Sequence, residues 1–268
     1  MRPEFSRKRS IFAALFAFLP TACLAGAGLL AQGQGQAHPG EYSQTDVTAG
    51  AEVYRANCTG CHAATGDGVG TVDLRRGRFR NASSDEDLMR VISNGIPGTA
   101  MQSFKLSQNE LTAIVAFIRA GFDVNARAVK VGDATRGRSL FEGKGGCTRC
   151  HRVNGRGPRS APDLSDIGSA RLASSIQGSI IDPTTYMMPI NRPVRAVTKG
   201  GQVVTGRRLN EDTFTVQLID DKERLISLNK SDLREYEILK TSPMPSFRDK
   251  LNIEEIADVV AYLLSLKG

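Results

Sequence analysis

Apolar residues recur with helical spacing in two stretches of the chain. In the first stretch they lie at positions i, i+3, i+4 and i+7, on Leu111, Ile114, Val115 and Ile118. In the second they form one stripe of Ile253, Ile256, Ala257, Val260 and Leu264. This spacing is typical of amphipathic α-helices. Ser107 with Glu110, and Asn252 with Glu255, are placed to cap the two helix N-termini. The pattern therefore predicts two similar helices.

A different pattern occupies residues 194–238. Apolar positions alternate there with polar ones, and the apolar set is Phe214, Val216 and Leu218. A two-residue period is typical of a strand with one buried face. Further strand-like runs cover 194–198, 202–208 and 224–228, with turn-forming residues between them. We therefore expect a small antiparallel meander whose apolar face, including Phe214, packs against the helices.

The sequence C-x-x-C-H occurs twice, at residues 58–62 and 147–151. It is the attachment signature of c-type haem, in which two thiols bond the haem vinyl groups and the next His faces the iron. We predict two covalently bound haem c groups, held by Cys58, Cys61 and His62 and by Cys147, Cys150 and His151. The alternative is tetrahedral zinc, which C-x-x-C pairs also bind. A zinc site, however, does not require a His directly after the second Cys of both pairs.

The two motifs stand in equivalent halves of the chain. In each half a short helix precedes the motif, and a Met-x-x-Phe sequence beginning at Met101 or Met244 precedes the closing helix. The repeat predicts two domains, at 47–122 and 132–268, joined by a linker near 123–135. From His62 to Met101 is 39 residues, whereas from His151 to Met244 is 93. The second domain therefore holds an insert, the strand-like region at about 194–238.

This order of parts resembles class I cytochrome c domains over nearly all of residues 47–268. The resemblance implies a mainly α fold of two cytochrome c-like helical domains, the second with a small antiparallel β insert. Residues 145–268 also resemble a haem-binding domain subfamily of exported bacterial oxidoreductases that carries such an insert. We expect the insert to be a docking surface rather than part of the haem core. The alternative is that it shields the haem edge from water.

The resemblance also implies the iron ligands. In the family pattern a Met binds the iron on the side opposite the His. The resemblance therefore implies four metal ligands, which are His62 and Met101 for the first iron and His151 and Met244 for the second. Met187 and Met188 are alternatives for the second iron, because they follow His151 by 36 and 37 residues. Met244 is preferred since its sequence context repeats that of Met101.

A further residue implied by the resemblance is Pro162. It matches the family residue whose backbone carbonyl accepts the ring N–H of the iron-binding His, a bond that fixes the ring's orientation. The first domain has Val72 at this position. Valine also has a carbonyl, so the bond can form there, but the rigid proline turn is absent.

Residues 1–37 have the features of an export signal and a flexible N-terminus. A basic start with Arg2, Arg7, Lys8 and Arg9 precedes the apolar run 11–19, and small residues follow Pro20. Cytochromes of this type are assembled outside the cytoplasm, so we expect a signal peptide and a periplasmic protein. The alternative is an uncleaved anchor over residues 11–31, just long enough to span a bilayer. Only in that case does the protein contact the membrane.

The charge of the chain gives no case for nucleic-acid binding. The whole chain is +7, but residues 1–37 hold four of the basic residues and one of the acidic residues, which leaves +4 for the remainder. Two propionates on each haem bring the holoprotein close to neutral.

We expect a non-enzymatic carrier of single electrons between redox protein partners. An exported dehydrogenase, including a quinoprotein, and a terminal oxidase are the partners that the resemblance suggests. The alternative is a dihaem enzyme of the peroxidase type, in which one iron is open to substrate. The two well-placed methionines and the shortage of spare histidines argue against it.

Overall fold

The computed structural model describes residues 40–268, except Thr71 and Arg78. The expected signal peptide and the alternative anchor lie outside these residues. The helices of the described part are α1 (Gln44–Asn57), α2 (Thr59–His62), α3 (Asp85–Asn94), α4 (Gln108–Arg119), α5 (Ala134–Glu142), α6 (Ile167–Ala170), α7 (Ala173–Ile181) and α8 (Ile253–Ser265). None of them is long and apolar enough to cross a membrane.

One close helix crossing is repeated in the two halves of the chain. In the first half α1 packs on α4, and in the second α5 packs on α8. A Cβ added to Gly50 of α1 would lie 1.9 Å from the carbonyl oxygen of Ala113, and one added to Gly137 of α5 would lie 1.9 Å from that of Asp258. Only glycine allows the backbones to approach so closely. The predicted fold class is confirmed: two similar helical units are present, each with its own apolar core.

The predicted helix starts are also confirmed. Ser107 and Glu110 form a capping box at α4, and Asn252 and Glu255 form one at α8. Helix α7 was not among the expected elements. Its core-facing residues Ile176 and Ile180 are buried and four positions apart, the helical spacing that could have indicated it.

The insert is a five-stranded antiparallel sheet. Its strands are β1 (Pro193–Thr198), β2 (Val203–Glu211), β3 (Thr215–Ile219), β4 (Leu225–Asn229) and β5 (Leu233–Ile238), in the order β4-β3-β2-β1-β5. The two edge strands β4 and β5 are joined only by the turn Lys230–Asp232. A flat sheet of five strands is about 19 Å across, and so short a connection spans less than about 14 Å. The sheet is therefore strongly coiled, so that its edges approach each other.

The expected meander is correct for the first four strands and incomplete after them. Strand β5 was not expected, and it returns to pair with β1 on the far edge. Val216 and Leu218 are fully buried, but they pack in a core formed by the sheet's own strands and not against the helices as expected. The expectation for Phe214 is also wrong, because its side chain is 77% exposed. Strand β3 begins only at Thr215, and the Phe214 N–H donates to the Asp212 carboxylate at 2.7 Å in the preceding turn. Phe214 therefore belongs to the turn and not to the strand, so the alternation of buried and exposed side chains does not include it.

Two buried carboxylates hold the segment between the helical units. Asp85, in the first turn of α3, accepts the N–H of Val131 at 2.9 Å, and Asp258, on α8, accepts the N–H of Asp133 at 2.7 Å. Residues 40–42 also pair along this segment, through the N–H of Tyr42 to the carbonyl of Ala128 at 2.9 Å. The segment expected as a linker near 123–135 is thus anchored to both units.

Candidate functional site

Both C-x-x-C-H motifs fold into the same turn. The N–H of His62 donates to the carbonyl oxygen of Cys58 at 2.9 Å, and the N–H of His151 donates to that of Cys147 at 2.9 Å. This turn keeps two thiols and one imidazole within five consecutive residues of each other. The cysteines of both motifs are free of disulfide bonds. Among the residues that the structure describes, no cluster of three or more His, Cys, Asp or Glu forms a metal site.

The first thiol of each motif is in apolar surroundings. Burial raises the pKa of the Cys58 and Cys147 thiols to about 11. The two sulfurs are therefore uncharged at neutral pH. An uncharged thioether sulfur suits this environment, because it has no charge to desolvate. Cys61 and Cys150, by contrast, are exposed.

The imidazole of His151 is held in one orientation. Its Nδ1 atom lies 2.8 Å from the carbonyl oxygen of Pro162. A carbonyl can only accept, so Nδ1 carries the proton and Nε2 keeps its lone pair. Burial lowers the pKa of this histidine, so the ring is neutral at pH 7. A neutral ring with a free Nε2 lone pair is the form that binds a metal ion. His151 is therefore suited to be a ligand of a haem iron.

His62 differs in this respect. Burial lowers its pKa as well, but its Nδ1 atom is buried and has no hydrogen-bond partner in the part of the chain that the structure describes. The bond that Val72 was expected to allow is not formed. The N–H of Val72 closes a tight turn by donating to the carbonyl of Val69 at 2.8 Å, and nothing in this turn replaces the rigid proline of the second unit.

A cavity of about 950 Å³ lies over the second motif. It brings together the site residues expected in this half: Cys147, Cys150, His151 and Met244. Met187 and Met188 line the same cavity, so shared position alone does not choose among the three methionines. Volumes of this size are typical of sites that bury a large ligand.

The β sheet forms one wall of this cavity. Residues 203–207 of β2, together with Ile219 and Ile226, line it alongside His151. Two hydrogen bonds of Arg159 join the loop after the motif to the sheet. The Arg159 N–H donates to the carboxylate of Glu223 at 2.7 Å, and the Arg159 carbonyl accepts from the side chain of Arg207 at 2.7 Å. The sheet therefore lines the cavity around the second motif, although its apolar core is separate from that of the helices. This favours a sheet that covers the second site, and a docking role for its outer surface stays a prediction.

The first site is built on an aromatic cluster. Cys58 and Met101 both pack against the core that contains Tyr54 and Phe117. The Tyr54 ring lies 5.7 Å from Phe117, and its hydroxyl donates to the carbonyl of Ala63 at 2.8 Å. Helix α1 is thereby joined to the residue that follows His62. The structure thus places Cys58 and Met101 on one core, next to the motif.

Met101 and Met244 have the same local backbone structure. The N–H of Met101 donates to the hydroxyl of Thr99 at 3.2 Å, and the N–H of Met244 donates to the hydroxyl of Ser242 at 3.1 Å. In each case a hydroxyl two residues earlier fixes the turn that presents the methionine.

The phenylalanine after each methionine is also held alike. The N–H of Phe104 donates to the carbonyl of Ile92 in α3 at 3.0 Å, and the N–H of Phe247 donates to that of Ile180 in α7 at 3.0 Å. Helices α3 and α7 are therefore equivalent elements, and the insert lies between α7 and the second Met-x-x-Phe sequence.

One residue of this site was not singled out from the sequence. Arg207 of β2 lines the cavity, and its Nε atom is buried without a hydrogen-bond partner among the described residues. Its position in a strand that alternates between two faces was the available signal, but the sequence could not show which face the cavity lies on.

Comparisons with known proteins agree with the repeat. Residues 45–118 match the family model described as cytochrome C oxidase, cbb3-type, subunit III, and residues 134–215 match the model described as cytochrome c. A solved structure, the Kuenenia stuttgartiensis reducing HAO-like protein complex Kustc0457/Kustc0458, is 18% identical over 82% of this chain and 96% of that chain, with a TM-score of 0.25. A TM-score this low carries no argument. No curated protein matches the chain.

Each half of the chain is thus a cytochrome c domain with its own attachment motif, and the protein is a c-type cytochrome. With two such domains it is a dihaem class I c-type cytochrome that binds two haem c groups covalently. The predictions of family, fold class and cofactor are confirmed, and haem rather than zinc is the group that these motifs hold. Cytochrome c domains carry electrons, which makes redox proteins its partners.

Proposed function

We propose that the protein is an exported carrier of single electrons, and that both haem irons are six-coordinate. Cys58, Cys61 and His62 hold the first haem, with Met101 as the sixth ligand. Cys147, Cys150 and His151 hold the second, with Met244 as the sixth ligand. The two domains extend over 47–122 and 132–268. The observation that carries the proposal is the repeated backbone structure around the two methionines.

That repeat supports Met244 over its neighbours. The turn at Ser242 and the bond from Phe247 to α7 have counterparts at Thr99 and Phe104 in the first domain. Met187 lacks this turn, because its N–H donates to the backbone carbonyl of Thr184 at 3.4 Å and not to a hydroxyl. Met188 is 44% exposed. A thioether that closes an iron site from water is expected to be more buried than this.

Each residue of the second site has a separate role in the proposed electron transfer. The haem supplies the one-electron iron couple when it is bound. Pro162 fixes the His151 ring through Nδ1, which directs the Nε2 lone pair into the cavity and raises its basicity. Met244 contributes a soft sulfur that favours the reduced metal. The apolar walls exclude water, so that little reorganisation accompanies the change of charge.

Export and partners follow from the same proposal. The basic and apolar pattern of residues 1–37 supports a signal peptide and a periplasmic location. The first family model is named for a subunit of a terminal oxidase, which supports an oxidase as electron acceptor. An exported dehydrogenase remains the proposed donor, on the resemblance of residues 145–268.

The proposal is tested by adding small ligands to the purified dihaem protein. Carbon monoxide is added to the reduced form and cyanide to the oxidised form, and absorption spectra are recorded. Two closed irons are expected to leave both spectra unchanged, and hydrogen peroxide is expected not to be turned over. Rapid binding at one haem, together with peroxide turnover, would instead establish the peroxidase alternative.

A further inference from the structure

Arg207 is a half-buried cation whose Nε atom is buried, and it has no counter-anion among the described residues. It lies on β2 between Pro193 of β1 and Ile219 of β3, and it lines the cavity that contains His151. Its Nη2 atom donates to the backbone carbonyl of Arg159 at 2.7 Å, while its Nε atom is buried and unbonded. No ion pair joins Arg207 to a carboxylate among the described residues. A desolvated charge in this condition is costly unless an anion pairs with it.

Three acidic residues line the cavity, and two of them, Asp220 and Asp163, are bonded elsewhere; the third, Asp221, is exposed and forms no ion pair with Arg207. Asp220 accepts from the side chain of Arg224 at 2.7 Å. Asp163 accepts from the hydroxyl of Ser165 at 2.5 Å. Desolvation lowers the pKa of Arg207, as it does for a cation in apolar surroundings that lacks a compensating charge. The missing partner of Arg207 is therefore an anion that enters the cavity.

The group that occupies this cavity carries such an anion. Haem c has two propionate carboxylates, and the Nε–Nη edge of a guanidinium matches a carboxylate with two parallel hydrogen bonds. We propose that Arg207 binds a propionate of the second haem, so that the β sheet is part of the cofactor site rather than an appendage to it. This inference rests on the proposed placement of the second haem against His151 and Met244.

The pairing has two measurable consequences. A fixed positive charge beside the propionate favours addition of an electron to the iron, so it raises the reduction potential of the second haem. It also favours the ionised propionate, so the potential is independent of pH around neutrality. Without the charge, the potential falls, and the propionate takes up a proton on reduction.

The chain offers a matched control in the next residue. Arg208 is on the same strand, but it pairs with Glu211 and does not line the cavity. We compare the full dihaem protein with its Arg207→Gln, Arg207→Lys and Arg208→Gln variants by redox titration from pH 5 to pH 9. The first haem serves as the internal reference in every sample.

Arg207→Gln is expected to shift the oxidation equilibrium of the second haem roughly tenfold toward the oxidised form and to make it pH-dependent. The first haem and the Arg208→Gln variant are expected to stay unchanged. Arg207→Lys keeps the positive charge but lacks the two parallel N–H donors of the guanidinium, so an intermediate shift is expected. This variant tests the inference if Arg207→Gln does not assemble with haem. Wild-type potential and pH profile in both Arg207 variants would overturn the inference.

The same samples distinguish failure of the inference from failure of the proposed function. The absorption band of Met–Fe(III) bonding is recorded for each. If the band is present in all variants and the potential of the second haem does not move, the ligation stands and the role of Arg207 is wrong. If wild-type protein lacks the band at the second haem, the proposed ligation itself is wrong.

Discussion

The Nδ1 atom of His151 lies 2.8 Å from the carbonyl oxygen of Pro162, whereas the corresponding atom of His62 has no partner among the described residues. The two sites are therefore unequal, although their motifs are the same. A hydrogen bond from Nδ1–H makes an imidazole more basic and stabilises the oxidised iron that it binds. With His62 and His151 as the proposed iron ligands, this difference taken alone is expected to lower the potential of the second haem relative to the first.

The inequality of the two histidines can be measured by proton exchange. In wild-type protein the Nδ1–H of His151 is expected to exchange with solvent at least about tenfold more slowly than that of His62, because only His151 has an acceptor. Pro162→Gly loosens the carbonyl and is expected to speed exchange at His151. Val72→Gly is the matched control and is expected to leave His62 unchanged. Equal exchange at the two histidines in wild-type protein would contradict the structural difference.

The methionine ligands are tested by substitution. Met101→Ala and Met244→Ala are each expected to convert one haem to a high-spin or misligated form, with loss of the Met–Fe(III) band at that haem only. Met187→Ala and Met188→Ala are expected to leave both haems as they are, and they control for general disturbance of the cavity. Loss of the band in Met187→Ala or Met188→Ala would place the sixth ligand on the other side of the insert.

The buried carboxylates are expected to differ in their contribution to stability. Asp85 pairs with Arg119, whose side chain is only 9% exposed, so Asp85→Asn leaves a buried charge without its partner and is expected to cost about 3–5 kcal/mol. Asp258 pairs with Arg136, whose side chain is 65% exposed and can be solvated. Asp258→Asn is therefore expected to cost about 1–2 kcal/mol. Urea unfolding of the holoprotein measures both, and a larger loss for Asp258→Asn would contradict the assignment.

The sheet is expected to lose stability in acid through Glu211. Burial alone would raise the pKa of this residue, but bonds from Lys230, Tyr236 and Arg208 outweigh it and lower the pKa to about 2. A depressed carboxyl pKa contributes stability that is complete above the unfolded value of 4.5 and is lost as pH falls toward 2. The loss is expected to be about 1–2 kcal/mol, because the group is partly solvated.

Hydrogen exchange of the sheet amides between pH 5 and pH 2.5 measures this loss. Glu211→Gln is expected to weaken the sheet at pH 6 and to remove most of the pH dependence. Glu237→Gln, on β5, is the control for a general change of charge. A pH dependence that is unchanged in Glu211→Gln would assign the acid sensitivity to other carboxylates.

Local sequence signals were sufficient for much of this protein. The haem attachment, the capped closing helices and the first four strands all depend on residues a few positions apart, and the repeat is the same local pattern found twice. A capping box at Ser107 and Glu110 acts within one helical turn, so the amino-acid order is enough to indicate it. Phe214 shows the limit of such reasoning, since a turn at Asp212 changed which residue begins the alternation.

The sequence by itself determined which groups the chain can hold, because a C-x-x-C-H motif contains all of its reacting atoms within five residues. Only the tertiary structure decided what surrounds those groups. The bond between His151 and Pro162 spans 11 positions, and that between Arg207 and Arg159 spans 48. Whether such pairs meet depends on how the coiled sheet packs over the second motif, and no local pattern encodes that packing. The sequence therefore predicts the sheet to be a separate docking surface, whereas in the structure the sheet forms a wall of the cavity.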